Sequence, residues 1–140
     1  EKRVIIIDTG PIVALFDKDD KYHRLCVDIL KRIKEPLITS WPVISEVFYL
    51  LNFSHHVQDA LWEFIERGVI KIESLDEGLY SACRELMKKY YDLPMDLADA
   101  TLVAIGEARG LTTIFTFDHK NFSIYKPKHK KRFTLIPARF

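Results

Sequence analysis

The sequence has little of what would brace a small fold covalently or divide it into loose pieces. Its 2 cysteines, Cys26 and Cys83, sit far apart in helix-like segments with no CxxC spacing. That excludes a disulfide framework, argues against a zinc site and suits a reducing compartment. The 5 Gly and 6 Pro residues form no tract, and no interdomain linker, internal repeat or low-complexity segment is found. No apolar run approaches the roughly 20 residues of a membrane span and no signal-peptide pattern is present, so a cytoplasmic location is the expectation. Nor is there an excess of one charge: 21 basic and 20 acidic side chains leave a net charge of +1, so no global field advertises a nucleic-acid partner. What is present, 48% hydrophobic and 29% charged residues over 140 positions, is enough for one ordinary globular domain spanning residues 1–140.

Short apolar runs alternate with helical patterns along the chain. Val4 to Ile7 is β-branched and wholly apolar, as expected for a strand covered on both faces of a parallel sheet. It stops at Asp8, and Pro11 then sits well for the first turn of a helix holding Ile12, Val13, Leu15 and Phe16. Residues 21–34 read as an amphipathic helix, 37–39 as a second strand, and the segment after Pro42 as a helix with Val43, Glu46, Val47, Leu50 and Leu51 on one face. A helix over 55–67 leads to a strand over 69–72. A long helix over 76–91 places Leu79, Ala82, Cys83, Leu86 and Met87 inward. A further helix begins near Pro94 and ends near Gly110, with Met95, Asp99, Leu102, Val103 and Gly106 on one side. Thr113 to Phe117 reads as a strand that runs into Asp118, and 133–136 as a last strand before Pro137. This alternation predicts a three-layer α/β/α sandwich around a mostly parallel central sheet.

The chemistry lies in acids placed where acids are unexpected. Asp8 and Asp118 each follow an apolar strand, while Glu46 and Asp99 each interrupt the inner stripe of a helix. A lone carboxylate on such a stripe costs several kcal/mol, roughly, unless it is protonated, hydrogen-bonded or neutralised. Each acid also has a plain structural explanation. Asp8 can cap the Pro11 helix, Glu46 can answer a helix dipole, and Asp118 can cap a turn before His119. Asp96 is a natural helix cap, with Asp99 three residues on imitating a capping box. Singly none of the four convinces; jointly they point to one cleft at the carboxyl edge of a parallel sheet, where ligands gather. Carboxylates brought together there raise one another's pKa unless a cation intervenes. Oxygen-only ligands favour Mg²⁺ or Mn²⁺ over zinc, and such ions activate water and stabilise the leaving oxygen of a phosphodiester.

With these residues in view the sequence resembles the PIN domains, and especially the VapC-type toxin ribonucleases of prokaryotic toxin–antitoxin pairs. The resemblance rests on Ile6 to Pro11, Ser45-Glu46-Val47, Asp96 to Ala100, and Thr116-Phe117-Asp118, and it covers nearly the whole chain. It implies a metal-dependent endoribonuclease that attacks an RNA phosphodiester in line with an activated water. It gives Asp8, Glu46 and Asp99 the role of metal ligands, with Asp118 completing the pocket directly or through water. Asp96 matches a position that is often acidic and is kept as a supporting candidate. Thr9 and Thr116 match small polar positions that orient carboxylates or water, and Asn121 is assigned the same role. No histidine is required, and His23, His55, His56, His119 and His129 read as surface or turn residues.

Lys120, Lys126, Lys128, Lys130, Lys131 and Arg132 follow the fourth acid, with Phe122 and Tyr125 between them. They suggest a basic rim with aromatic stacking for single-stranded or looped RNA. Phe48, Tyr49, Phe53, Trp62 and Phe64 exceed what two short helices need internally, and any exposed remainder would serve a homodimer or an antitoxin. Three other readings stand beside this one. A PIN-like nuclease of RNA processing or decay would have no antitoxin, and a catalytically silent binding module would use the acids only as caps. A haloacid-dehalogenase-type phosphatase normally has a second Asp two residues after the first, where this chain has Gly10.

Overall fold

The computed structural model describes residues 3–128 and 132–140. Five short strands, β1 (Ile5–Ile7), β2 (Leu37–Ser40), β3 (Ile70–Glu73), β4 (Thr113–Phe115) and β5 (Thr134–Ile136), form a sheet of order β3-β2-β1-β4-β5. Every pairing is parallel, so the sheet is more uniform than the sequence pattern alone required. All residues of β1 and β2 are buried, which is why β1 is a continuous apolar run and why the two hydroxyls that end β2, Thr39 and Ser40, are hydrogen-bonded.

Among the described residues, seven helices connect the strands: α1 (Thr9–Phe16), α2 (His23–Arg32), α3 (Trp41–Leu50), α4 (His55–Glu66), α5 (Glu77–Lys89), α6 (Leu97–Arg109) and the single turn α7 (His119–Phe122). The chain steps outward from β1 to β2 to β3, then returns past β1 to β4 and β5. With right-handed crossovers that reversal places the helices before β3 on one face and α5 and α6 on the other. The packing agrees, with α1 against α2, α3 and α4, and α5 against α6. This is the expected α/β/α sandwich, and its topological switch point falls between β1 and β4.

α6 departs from the one-sided helix its pattern suggested. Ala98 and every residue from Ala100 to Gly106 are buried, because α6 is packed by α5, α3 and β2 together. Its small residues permit that enclosure. A Cβ at Gly106 would stand 2.9 Å from Phe133 Cε1 and 3.2 Å from the Leu111 carbonyl oxygen, so only glycine allows this approach. Gly110, at φ 67°, ends the helix in the left-handed conformation and returns the chain into β4.

Several boundaries and faces differ from the sequence-based expectation. β4 ends at Phe115 rather than Phe117, since Thr116 N donates to the Ile136 carbonyl and the chain then turns. Asp118 therefore caps α7 instead of ending a strand. The buried face of α3 is Val43, Ile44 and Val47, continued by Leu51. Glu46 and Leu50 lie beyond its edge and are exposed, so Glu46 does not interrupt an inner stripe. Met87, read as inward, is also exposed. Phe122 and Tyr125 are fully buried, which removes the proposed stacking aromatics from the basic rim.

Candidate active site

β1 delivers Asp8 to the carboxyl edge, and the backbone fixes its register there. Asp8 N donates to the Phe115 carbonyl at 3.0 Å, aligning it with the end of β4. Its side chain caps α1, with Oδ1 accepting from Thr9 N at 2.8 Å. Oδ2 accepts from Thr116 Oγ1 at 2.7 Å. The structural role and the chemical one therefore coexist in one carboxylate. Asp8 is only 8% exposed. Burial pushes its carboxyl up to about 6; the Thr116 and Thr9 bonds oppose the rise, while Asp118 and Glu46 add to it.

Asp118 follows β4 at the same edge. Its Oδ1 accepts from Asn121 N at 3.2 Å and its Oδ2 from Asn121 Nδ2 at 3.0 Å. Asp118 N donates to Thr116 Oγ1 at 2.9 Å, so one hydroxyl accepts from the fourth acid's backbone and donates to the first acid's carboxylate. Across the cleft, Glu46 is exposed on α3 and its Oε1 accepts from Thr9 Oγ1 at 2.7 Å. Thr9, Thr116 and Asn121 thus each hydrogen-bond to the side chain of one of the acids.

Asp99 lies in the first turn of α6, half-buried. Gly110 is three residues from the start of β4, so the opposite end of α6, carrying Asp99, points to the carboxyl edge. Burial raises the Asp99 carboxyl to about 8, with Asp96, Asp8 and Asp118 pushing the same way and a hydrogen bond from Tyr125 opposing. Tyr125 OH donates to Asp99 Oδ2 at 3.3 Å. Asp96 is the N-cap of α6, its Oδ1 accepting from Asp99 N at 2.8 Å, and is itself exposed.

Beneath the cleft, buried Ser40 Oγ and Thr101 Oγ1 stand 2.7 Å apart. Ser40 caps α3, and Thr101 donates to the Ala98 carbonyl at 2.7 Å. This pair links the start of the Glu46 helix to the turn bearing Asp99. Sequence reasoning missed both, although Ser40 before Trp41-Pro42 has the form of an N-cap preceding a helix. It also missed Tyr125 as a donor, and nothing local to Tyr125 marks it as one.

The electrostatic influences link Asp8 to Asp118 and Glu46, and Asp99 to Asp96, Asp8 and Asp118. Among the described residues, however, no three His, Cys, Asp or Glu side chains as placed form a group that shares one ion. The donor set still fits a hard cation. It offers carboxylate oxygens only, and the influences on Asp8 and Asp99 are burial, other carboxylates and hydrogen bonds, with no positive side chain among them. Magnesium commonly binds one or two carboxylates and keeps several waters, so such an arrangement needs no all-protein cage.

Among the described residues, none of the remaining candidates forms an ion pair with the four acids. His23 is half-buried and its Nδ1 lies 2.7 Å from the Ala14 carbonyl, joining α2 to α1. His119 packs its ring edge-on against Phe140, and its buried Nε2 has no protein partner among the described residues. Lys120, Lys126, Lys128 and Arg132 are exposed, whereas His129, Lys130 and Lys131 lie outside the described residues. A cleft of about 400 Å³ at the amino edge, lined by Ile5, Ile29, Thr113, Ile136 and others, holds none of the acids.

A parallel sheet with acids gathered at its switch point is the arrangement of a PIN domain. Residues 5–126 match the family model described as PIN domain, and the chain belongs to that family. It is 27% identical over 143 residues to Ribonuclease VapC26 of Mycobacterium tuberculosis, a match covering 95% of this chain and 100% of that protein. Its fold is similar to the crystal structure of Mycobacterium tuberculosis VapC20, described as a Sarcin-Ricin loop cleaving toxin, with TM-score 0.75 and 22% identity over 82% of this chain and 90% of that one. It is also similar to a chain of VapBC2 from Rickettsia felis, crystallised with a DNA fragment from the pair's promoter, with TM-score 0.64 and 18% identity over 94% and 96% of the two chains.

Proposed function

We propose that the protein is a divalent-metal-dependent endoribonuclease, the toxin of a toxin–antitoxin pair, acting on single-stranded or looped RNA. The convergence of Asp8, Glu46, Asp99 and Asp118 at the switch edge carries this reading, and membership in the PIN family together with the ribonuclease relative supports it. Asp8, Glu46, Asp99 and Asp118 would hold Mg²⁺ or Mn²⁺, with Asp96 in support. When bound, the ion supplies Lewis-acid polarisation of the phosphate and the charge that makes water a competent nucleophile at neutral pH.

The chain's own residues prepare that chemistry. Thr116 and Thr9 hold Asp8 and Glu46 by their hydroxyls, and Asn121 holds both oxygens of Asp118. Each carboxylate is thereby oriented before substrate arrives, which lowers the reorganisation needed at the reacting phosphate. Exposed Lys120, Lys126, Lys128 and Arg132 supply positive charge on the segment after the fourth acid, favouring approach of a polyanion to a cleft that is itself acidic. Exposed Trp41, Tyr49, Leu50, Phe53 and Trp62 on or beside α3 and α4 form the surface we assign to protein partners, an antitoxin and a second copy of the chain. The antitoxin assignment is supported by the likeness to toxin–antitoxin complexes. None of the described helices is long and apolar enough to cross a membrane, and we place the protein's action in the cytoplasm.

The test is cleavage of a mixed RNA pool with Mg²⁺, with Mn²⁺ and with chelator, comparing wild type with Asp8→Asn and Asp99→Asn. Metal-dependent cleavage lost in both folded variants supports the reading, and cleavage that survives chelator or either substitution defeats it. A silent binding module is favoured by one observation, the lack of three acids placed to share an ion among the described residues. Calorimetric absence of Mn²⁺ binding by the wild type would decide for that module.

A further inference from the structure

The fully buried ring of Tyr125 is enclosed by aromatic neighbours, edge-on to Tyr90 at 5.1 Å and to Phe122 at 5.3 Å. The backbone beside it is anchored as well, because Lys126 N donates to Tyr90 OH at 3.1 Å and Tyr125 N donates to the Asn121 carbonyl at 3.1 Å. Such a side chain has few rotamers open to it. Its single polar atom is aimed at Asp99 Oδ2 across 3.3 Å. A tyrosine needed only for volume would be served equally by phenylalanine, and a buried phenol is costly unless its hydroxyl finds a partner.

The same short stretch of chain holds a second acid. Asn121, four residues earlier, donates from both its backbone and side-chain nitrogens to Asp118. Residues 118–125 therefore contact two carboxylates carried on different parts of the fold, Asp118 of its own segment and Asp99 of α6. Neither contact is made by a charged group. No positive group occupies their oxygens at these contacts, and the hydrogen bonds set the directions of those oxygens.

We propose that Tyr125 is a positioning residue of the candidate metal centre, fixing the Asp99 carboxylate through its hydroxyl and acting with Asn121 as a rigid strap over one side of the cleft. The proposal rests on the metal-nuclease reading and extends it to a residue that lies outside the acidic set. The hydroxyl directs one Asp99 oxygen inward to the phenol and leaves the other free for a cation. Outer partners of this kind typically contribute about 10–100-fold to metal affinity, and the long bond to Tyr125 places the expectation at about tenfold.

The experiment compares wild type, Tyr125→Phe and Asp99→Asn, using Mn²⁺ alone as the probe in calorimetry and the RNA pool for turnover. Tyr125→Phe keeps the ring and should leave the melting temperature near wild type, weaken Mn²⁺ about tenfold and lower kcat at limiting metal. KM for RNA should stay unchanged, and excess Mn²⁺ should restore kcat. A metal-free readout accompanies these: the ¹³Cζ resonance of Tyr125 should move in Asp99→Asn, reporting the changed acceptor of its hydroxyl. Wild-type Mn²⁺ affinity in a folded Tyr125→Phe protein overturns the positioning role while leaving the nuclease reading intact. Failure of the wild type to bind Mn²⁺ overturns both. A Tyr125→Phe protein with a much lower melting temperature and no rescue by Mn²⁺ assigns the hydroxyl to folding and also defeats the proposal.

Discussion

The four candidate acids divide into an inner and an outer pair, and the sheet treats the two differently. Asp8 is buried and Asp99 half-buried, and desolvation pushes their carboxyls up to about 6 and about 8. Glu46 is exposed and Asp118 is half-buried, and each is held chiefly by a neighbour's hydrogen bonds. The inner pair stores unfavourable electrostatic energy that a cation would release, whereas the outer pair contributes orientation at little cost to the fold. Activity and stability should therefore oppose each other at the inner acids and hardly interact at the outer ones.

The largest effect should separate those two quantities at one residue. Asp99→Asn should reduce single-turnover RNA cleavage by more than about a hundredfold, beyond the loss expected of an outer partner. In metal-free buffer at pH 8 the same variant should melt about 5 °C higher, corresponding to about 2 kcal/mol for a chain of this size. A variant that loses activity and stability together would erase the distinction between the pairs.

The pH dependence sharpens the comparison. A carboxyl whose folded pKa is raised contributes most stability below its unfolded value, near 3.8, and that contribution is lost as pH rises through the folded value. For the inner pair the loss runs through about 6 for Asp8 and about 8 for Asp99. Between pH 4.5 and 8.5 metal-free wild type should lose about 1–3 kcal/mol relative to Asp99→Asn, a figure discounted for the partial solvation of Asp99. Saturating Mn²⁺ should cancel most of the difference. Thermal melts across that pH range, with and without Mn²⁺, provide the measurement, and a flat difference would remove the inner pair's stored repulsion.

Smaller effects probe the links between the pairs. Ser40→Ala removes the cap of α3 and the hydroxyl partner of Thr101, and should cost about 1–2 kcal/mol in chemical denaturation. Thr9→Val should leave the melting temperature unchanged, since Glu46 is exposed, and reduce cleavage only severalfold by freeing that carboxylate. An unfolded Thr9→Val protein would show that the outer pair also supports the fold.

Much of this division was absent from the sequence. Asp8 was legible because an apolar run ending in Asp before Gly-Pro places a carboxylate at a strand's end, and the sheet puts it there. Asp99 was legible by helical period, though α6 proved buried on all faces from Ala100 to Gly106, where α5, α3 and β2 pack it, which no period reveals. Glu46 was found for a mistaken reason: it lies past the edge of the α3 core face and reaches the cleft from outside. Tyr125 was misread because an aromatic among lysines has the composition of a surface rim. Its burial depends on Tyr90 from a separate helix and Phe122 from α7. The Ser40–Thr101 pair joins residues 61 positions apart, a contact that only the folded chain creates.

The hydrogen bond from Thr116 to Asp8 spans 108 positions of a 140-residue chain, and its meaning extends to how the protein is made. During synthesis Asp8 emerges 108 residues before Thr116, and β1 likewise precedes its neighbour β4 and Asp118. A growing chain that stops short of β4 has three of the acids and no partner strand on that side of β1, so the site cannot assemble until residues 113–118 have emerged. A protein that cuts RNA from such a site stays harmless to the machinery producing it until that segment has emerged.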